Sequence, residues 1–272
     1  MAQSAAIPIV ESEHRLRLAA TSLPYTVRRT PRARGLRVTI DPRRGVVVTI
    51  PPSSRRGWAR ADDRVEGFLR DRAAWVVRHV ARLERDRAEV LARGGARDGG
   101  QIHYRGELHR IRDEAGPRPL RRSVVERVGG TDGDELVIRR GSRDRRPAAR
   151  IIEAWLRARA AEAIDRAVAE HAAALRVTPA VIALRDPRTR WGSASRTGRL
   201  MFSWRLILAP PGALETVVVH ELAHLRVFGH RPKFWALVAS RRPDHLADRA
   251  WLRRHSHALH ASLELGEALD VA

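Results

Sequence analysis

The chain has 272 residues, 43% of them hydrophobic, which is enough for one large or two small domains with a real core. It contains no cysteine, which excludes disulfides and thiolate metal sites, so any zinc must be held by His, Asp or Glu. The formal net charge of +21 indicates either an anionic partner, such as nucleic acid, or a solvated basic surface without a dedicated partner.

The first part of the chain is predicted to be β-rich. Residues 1–22 are expected to be a flexible N-terminal tail, and residues 23–145 a β-rich region with a long helix. Two β-branched runs, 36–40 and 46–50, flank a turn that contains Pro and Gly, which is typical of a hairpin. An apolar stripe at helical spacing then predicts one helix over about residues 63–91. Short strands are predicted over residues 102–104, 108–112, 124–128 and 136–139.

Residues 146–262 are predicted to form the catalytic region, followed by a C-terminal tail over 263–272. A helix over about 148–175 opens this region. Strands over 181–185 and 200–208, with an extended segment at 188–193, are expected to form an antiparallel unit. After the helix that carries the motif described below, two further helices are predicted over 232–241 and 244–261. The sequence shows no internal repeat.

No run approaches eighteen apolar residues, and the first twenty residues lack the apolar stretch of a signal peptide. We therefore expect no membrane association and a cytoplasmic location.

The most specific motif is His220-Glu221-Leu222-Ala223-His224, followed by His230. Four residues on a helix overshoot one turn by only about 40°, so the two motif histidines point the same way and can share a metal ion. This is the H-E-x-x-H arrangement of zinc peptidases, in which Glu221 is the general base for a zinc-bound water. His230 would be the third ligand, with a fourth position open.

The surroundings of the motif favour a metal over the alternative, a buried helix whose polar side chains are satisfied by neighbours. The helix is apolar nearly all round and is therefore expected to be buried, where unpaired ionisable groups are costly. Pro210-Pro211 predicts its start. Gly229 suits a left-handed position that turns the chain back, which would return His230 to the metal.

The histidine spacing equals that of the metzincins, but Val227 stands where metzincins have Gly, and no Met-turn is evident. The sequence therefore argues against a true metzincin.

Several further motifs resemble the YgjP-like metallopeptidase-domain family, which is related to the SprT-like zinc proteases. The residues that carry the resemblance are Arg190-Trp191-Gly192-Ser193, Gly198-Arg199-Leu200, Trp204-Arg205-Leu206, Ala209-Pro210-Pro211, the stretch from Val218 to His224, His230, Phe234-Trp235 and Pro243-Asp244. The match is dense over about 181–255 and looser over 34–50 and 68–75. Two positions depart from the family pattern: Ala194 stands where Cys is usual, and Ser203 where Asn is common.

The resemblance implies an α+β fold with a zincin-like core. It also implies a zinc ion held by His220, His224 and His230, with Glu221 as catalytic base. The expected function is zinc-dependent hydrolysis of peptide bonds, with a protein or peptide as substrate. The resemblance does not identify the physiological substrate.

Some roles stay open at the level of the sequence. Arg190, Arg205 and Ser193 are candidates to stabilise an oxyanion, although salt bridges or hairpin hydrogen bonds are the favoured interpretation. The strand at 200–208 could pair with an extended substrate.

Two alternatives to a simple peptidase remain at this stage. One is a nucleic-acid-associated protease. The other is a non-catalytic zinc-containing module that binds nucleic acid, in which Asp244 or His245 would close the metal site as a fourth ligand. The oligomeric state is not predicted.

Overall fold

A computed structural model describes residues 9–18, 21–41, 44–117, 120–129 and 133–269. The chain divides into two compact units, residues 1–85 and 86–272, so the division lies inside the region predicted as 23–145. The predicted α+β class is confirmed: the described part of the chain contains three sheets and six α-helices.

The first unit contains a four-stranded sheet with the order β1-β2-β4-β3. Its strands are β1 (Val10–Leu18), β2 (Thr21–Arg29), β3 (Arg37–Asp41) and β4 (Gly45–Ile50). The predicted hairpin is present as the antiparallel pair β3 and β4, whereas β2 and β4 are parallel.

The first strand differs from the flexible tail expected for residues 1–22. All nine residues of β1 pair with β2, and alternation along the strand buries Leu16 and Leu18. Residues 1–8 lie outside the described residues.

Two helices stand where the sequence predicted one. They are α1 (Asp62–Asp71) and α2 (Ala73–Ala92), separated at Arg72, whose backbone angles (φ −112°, ψ 18°) leave the helical region. Val65, Leu69 and Val76 are fully buried in the same apolar cluster as the core residues of β4.

The second unit begins with a four-stranded sheet of order β5-β6-β8-β7. The four predicted strands are confirmed as β5 (Gln101–Tyr104), β6 (Glu107–Ala115), β7 (Val124–Val128) and β8 (Glu135–Arg140). Their order, with a parallel pair at the centre, repeats that of the first sheet. The sequence gives no sign of this repeat of topology.

The long helix α3 (Ala148–Leu175) confirms the prediction for 148–175 and forms much of the core of the second unit. A third sheet follows, with strands β9 (Val181–Arg185), β10 (Gly192–Ala194) and β11 (Arg199–Ser203) in the order β10-β11-β9. The prediction of an antiparallel unit is wrong for β9 and β11, which are parallel.

The strand predicted to continue to residue 208 is also wrong. The chain turns at Ser203 into a 3₁₀ helix, Trp204–Leu208, all five residues of which are buried. The Ser203 hydroxyl accepts a hydrogen bond from the backbone N–H of Arg205 at 3.3 Å and so stabilises this change of direction.

Three helices complete the second unit: α4 (Pro211–Ala223), α5 (Pro232–Arg241) and α6 (His245–Leu269). As predicted, α4 begins at the Pro210-Pro211 pair and Gly229 has a left-handed φ of +83°. The helix itself ends at Ala223, before the chain reaches this glycine. Helix α6 extends to Leu269, through most of the predicted C-terminal tail. Within the described residues, none of the helices combines the length and apolarity needed to span a membrane.

Candidate metal centre

The three histidines of the motif come together at the end of α4. His220 lies in the last turn of the helix, His224 caps it, and His230 follows the reversal at Gly229. One ring nitrogen from each histidine lies within 4.8 Å of the other two, and the Nε2 atoms of His220 and His230 are 3.1 Å apart. Within the described part of the chain, this group contains no fourth His, Cys, Asp or Glu donor.

Two aromatic residues in the first turn of α5 hold the imidazole rings. Phe234 is fully buried and its ring centroid lies 4.9, 4.4 and 5.0 Å from those of His220, His224 and His230. Trp235 stacks on His230 at 5.7 Å. From the sequence, these aromatics were only part of a family resemblance. Their positions in the first turn of α5 place them against the histidines.

Burial favours the neutral form of both motif histidines. Burial, together with the neighbouring charges of His224 and His230, lowers the pKa of His220 to about 3. Burial also lowers the pKa of His224. The Nδ1 of His224 lies 3.4 Å from the carbonyl oxygen of Val227, which favours a proton on Nδ1 and leaves Nε2 with a free lone pair.

This donor set fits a zinc ion. Zinc–nitrogen bonds of about 2.0–2.1 Å in a tetrahedral site separate two ligand nitrogens by roughly 3.3–3.4 Å. The 3.1 Å between the Nε2 atoms of His220 and His230 is close to that separation. Neutral imidazoles are ligands that zinc prefers, and three protein ligands leave one position of a tetrahedron free.

Glu221 lies between the two motif histidines and is buried. Burial raises the pKa of its carboxyl group to about 7. The positive charge of Arg190 acts on this pKa in the opposite direction. A Cβ atom built on Gly192 would lie 2.7 Å from Cγ and 2.8 Å from Oε1 of Glu221. Only glycine therefore allows β10 to approach this carboxylate so closely, which explains the Trp-Gly-Ser motif. Ser193, the next residue, is half-buried on the same strand.

A family model for the YgjP-like metallopeptidase domain matches residues 34–255, which include the three histidines and Glu221. The chain belongs to the YgjP-like family. Membership of this family indicates a metallopeptidase, that is, a hydrolase that uses a metal ion. Comparisons with curated proteins and with solved structures gave no match.

The two positions that depart from the expected family pattern have structural contacts of their own. Ala194 pairs with Leu200 in the third sheet, and Ser203 is the buried cap of the 3₁₀ helix. Neither side chain belongs to the group of metal-type donors.

Arg205, a candidate for oxyanion stabilisation, instead makes hydrogen bonds that stabilise the fold. Its side chain is buried, its Nε and Nη2 donate to the carboxylate of Asp186 at 2.7 and 3.1 Å, and its Nη1 donates to the carbonyl oxygens of Leu259 and His260 at 3.2 Å. The guanidinium thus joins the loop after β9 to α6, in agreement with the salt-bridge interpretation.

Neither proposed fourth ligand is part of the cluster. His245 is buried, donates a hydrogen bond from its Nδ1 to the carbonyl oxygen of Arg242 at 3.0 Å, and stacks on Trp235 at 5.8 Å. The Trp235 ring in turn stacks on His230. Asp244 is exposed at the start of α6.

The expectation that residues 200–208 offer an edge to a substrate is wrong. β11 lies between β10 and β9, so both of its sides are already paired. The sheet edge beside Glu221 belongs to β10. A cavity of about 290 Å³ opens next to His220 and Glu221.

Proposed function

We propose that this protein is a zinc metallopeptidase that hydrolyses peptide bonds, with His220, His224 and His230 as zinc ligands and Glu221 as general base. The observation that carries the proposal is the convergence of three imidazoles within 4.8 Å, with a buried carboxylate on the adjacent residue. Catalytic zinc sites have three protein ligands and an open position, whereas structural sites are closed by a fourth.

When bound, the metal ion lowers the pKa of a coordinated water and polarises the scissile carbonyl. The chain's own contribution is proton transfer by Glu221, a buried carboxylate adjacent to a proposed ligand, which accepts a proton from the attacking water and donates it to the leaving amine. Arg190, whose charge acts on Glu221, and Ser193 on the adjacent strand are the groups we assign to oxyanion stabilisation.

The edge of β10 supports binding of an extended substrate. Gly192–Ala194 pairs with β11 on one side only, and its first residue contacts the Glu221 carboxylate. A peptide that adds to this edge would therefore run past the general base. A helix with the metal ligands next to such an edge strand corresponds to a zincin-like core, which is part of the proposal.

The variant Glu221→Gln tests this function. It keeps the size of the side chain but removes the base, so we expect one zinc per chain by elemental analysis and a loss of about 10³-fold or more in cleavage of a denatured protein such as casein. Glu215→Gln, on the same helix but paired with Arg242 at 2.8 Å, is the matched control and should retain activity. Full hydrolysis by zinc-loaded Glu221→Gln, or hydrolysis insensitive to a chelator, would contradict the proposal.

The net charge of +21 favours a second candidate, a protease that acts while associated with nucleic acid. We expect such a protein to bind DNA or RNA with an affinity that falls steeply with salt, because phosphate contacts release counterions. Binding that does not depend on salt would count against this candidate. The non-catalytic module would need a fourth protein ligand, and none stands beside the three histidines in the described residues.

A further inference from the structure

The cavity beside Glu221 lies where a residue next to the scissile bond would be bound. Its lining includes His220 and Glu221, so it opens directly onto the proposed reacting groups. Its volume of about 290 Å³ is at the lower end of the roughly 300–1,000 Å³ that small-molecule sites span. A space of this size suits one side chain or one chain end rather than a folded partner.

One part of the cavity wall is apolar. Val217 on α4 and Leu252 on α6 are both buried, and Trp191 lies half-buried just before β10, with its ring stacked on His260 at 5.5 Å. This wall can contact the methylene groups of a substrate side chain.

The remaining wall is cationic. Arg249 and Arg253 lie one turn apart on α6, so both guanidinium groups extend from the same face of the helix toward the cavity. Arg249 lies over the Trp235 ring, with its Cζ 4.2 Å from the ring centroid, and this contact restricts where its charge can lie. Both arginines are exposed, so a substrate can reach them.

The carboxylates around the cavity do not neutralise the charge of Arg249. Among the described residues, Glu221 is the only acidic one in the lining, and it is the proposed general base. Asp248, adjacent to Arg249 in sequence, instead pairs with Arg242 at 3.2 Å and accepts a hydrogen bond from Thr216. Within the described residues, no carboxylate forms an ion pair with Arg249.

We propose that this cavity binds a carboxylate of the substrate through Arg249 and Arg253, so that the enzyme cleaves next to an acidic side chain or next to a free C-terminus. The inference rests on the proposed peptidase function and adds the class of substrate. Arginine is suited to this role because its planar guanidinium can donate two parallel hydrogen bonds to a carboxylate.

The test uses ten-residue peptides, acetylated and amidated at their ends, that differ only by Glu, Gln or Lys at one position, with the cut located by mass spectrometry. We expect kcat/KM for cleavage next to Glu to exceed that next to Gln by about tenfold or more, since charge-assisted hydrogen bonds are stronger than neutral ones. In Arg249→Gln/Arg253→Gln the Glu-to-Gln ratio should fall to within about twofold. Arg254→Gln, on α6 but outside the cavity lining, should keep the ratio of the unmodified protein.

A second arm of the experiment distinguishes the two sources of the carboxylate. It uses the Gln peptides with a free C-terminal carboxylate instead of the amide. Preference for these peptides assigns the cavity to the chain end, and preference for internal Glu assigns it to an acidic side chain. Equal hydrolysis of the Glu, Gln and free-acid peptides, or a preference that persists in the double variant, would overturn the proposal.

Failure of the peptidase function itself gives a different result. If zinc-loaded protein cleaves none of the peptides, fluorescence anisotropy with the same peptides carrying a label still measures binding. Binding of the carboxylate-bearing peptide about tenfold tighter than that of the Gln peptide, lost in the double variant, supports the carboxylate subsite. Equal dissociation constants refute it.

Discussion

Among its described residues, the second unit contains two groups in which three metal-type donors lie within 4.8 Å of one another. One is the cluster of His220, His224 and His230. The other joins Glu107 and His109 of β6 to Asp134, which precedes β8. Similar distances between donors therefore accompany very different chemistry in the two groups.

The acidic group already holds a cation of its own. The Nε of Arg127 donates to His109 Nε2 at 3.1 Å, its Nη2 hydrogen-bonds the Asp134 carboxylate, and the same atom is 3.7 Å from the Glu107 carboxylate. The hydrogen bond with Asp134 raises the pKa of the guanidinium. His109 Nδ1 donates to the Glu107 carbonyl oxygen at 3.1 Å, so both ring nitrogens are used.

The histidine cluster is arranged in the opposite way. The Nε2 atoms of His220 and His230 face each other across 3.1 Å, no Arg or Lys hydrogen-bonds the three rings within the described residues, and their surroundings are aromatic. Proximity of donors alone therefore does not define a metal site, because the donors must also keep their lone pairs free of other cations.

Substitutions in the two groups should differ most strongly in their effect on metal content. His220→Ala removes a ligand, and we expect zinc affinity to fall roughly a thousandfold or more, with loss of peptidase activity. Asp134→Asn, in the acidic group, should leave one zinc per chain. Elemental analysis and competition with a chelator measure both. A loss of zinc in Asp134→Asn but not in His220→Ala would reverse the assignment.

Zinc should also stabilise the fold through the histidine cluster alone. At a free zinc concentration about a thousand times the dissociation constant, linkage predicts about 4 kcal/mol, or an increase in melting temperature of about 10 °C. Differential scanning calorimetry with and without zinc checks this. We expect the increase in Arg127→Gln and none in His220→Ala, and an equal increase in both would mean that zinc binds elsewhere.

A smaller effect tests the packing of Glu221 within the histidine site. In Gly192→Ala the added methyl group would displace the Glu221 carboxylate, so we expect kcat/KM to fall about 10- to 100-fold while zinc is retained. Gly67→Ala is the matched control, because no atom lies within 4 Å of the added Cβ there. Unchanged activity in Gly192→Ala would show that the contact does not position the base.

The smallest effect concerns the cation of the acidic group. Arg127→Gln removes hydrogen bonds to His109 and Asp134, and since the arginine is half exposed we expect only about 1 kcal/mol of lost stability in urea unfolding. Zinc content should stay at one per chain. A second zinc in this variant would contradict the assignment of zinc to the histidine cluster alone, because it would show that the guanidinium had excluded a metal ion from the acidic group.

Local signals in the sequence predicted the centre of the histidine site. The spacing of the histidines, the proline pair before α4 and the glycine at 229 each act within a few residues, so the sequence alone reports them. The strand β1 also had a local signal that was missed: Arg15 and Arg17 alternate with the buried Leu16 and Leu18.

Other features depend on segments that are distant in the chain. The parallel pairing of β9 with β11 and the packing of Gly192 on Glu221 depend on how separate elements meet. The buried segment Trp204–Leu208, apolar except for Arg205, suits a strand and a 3₁₀ helix equally by its composition. Two other contacts also require the three-dimensional structure. They are the packing of aromatic residues on the histidines and the placement of Arg127 within the acidic group.

The exposure of His230 has a consequence for the kinetics of metal exchange. His220 and His224 are partly buried, whereas His230 lies on an exposed loop after the left-handed glycine. One side of the cluster thus faces the solvent, so an ion can enter or leave when this loop alone moves. We therefore expect the rate of metal loading to depend on a local rearrangement of this loop and not on opening of the hydrophobic core.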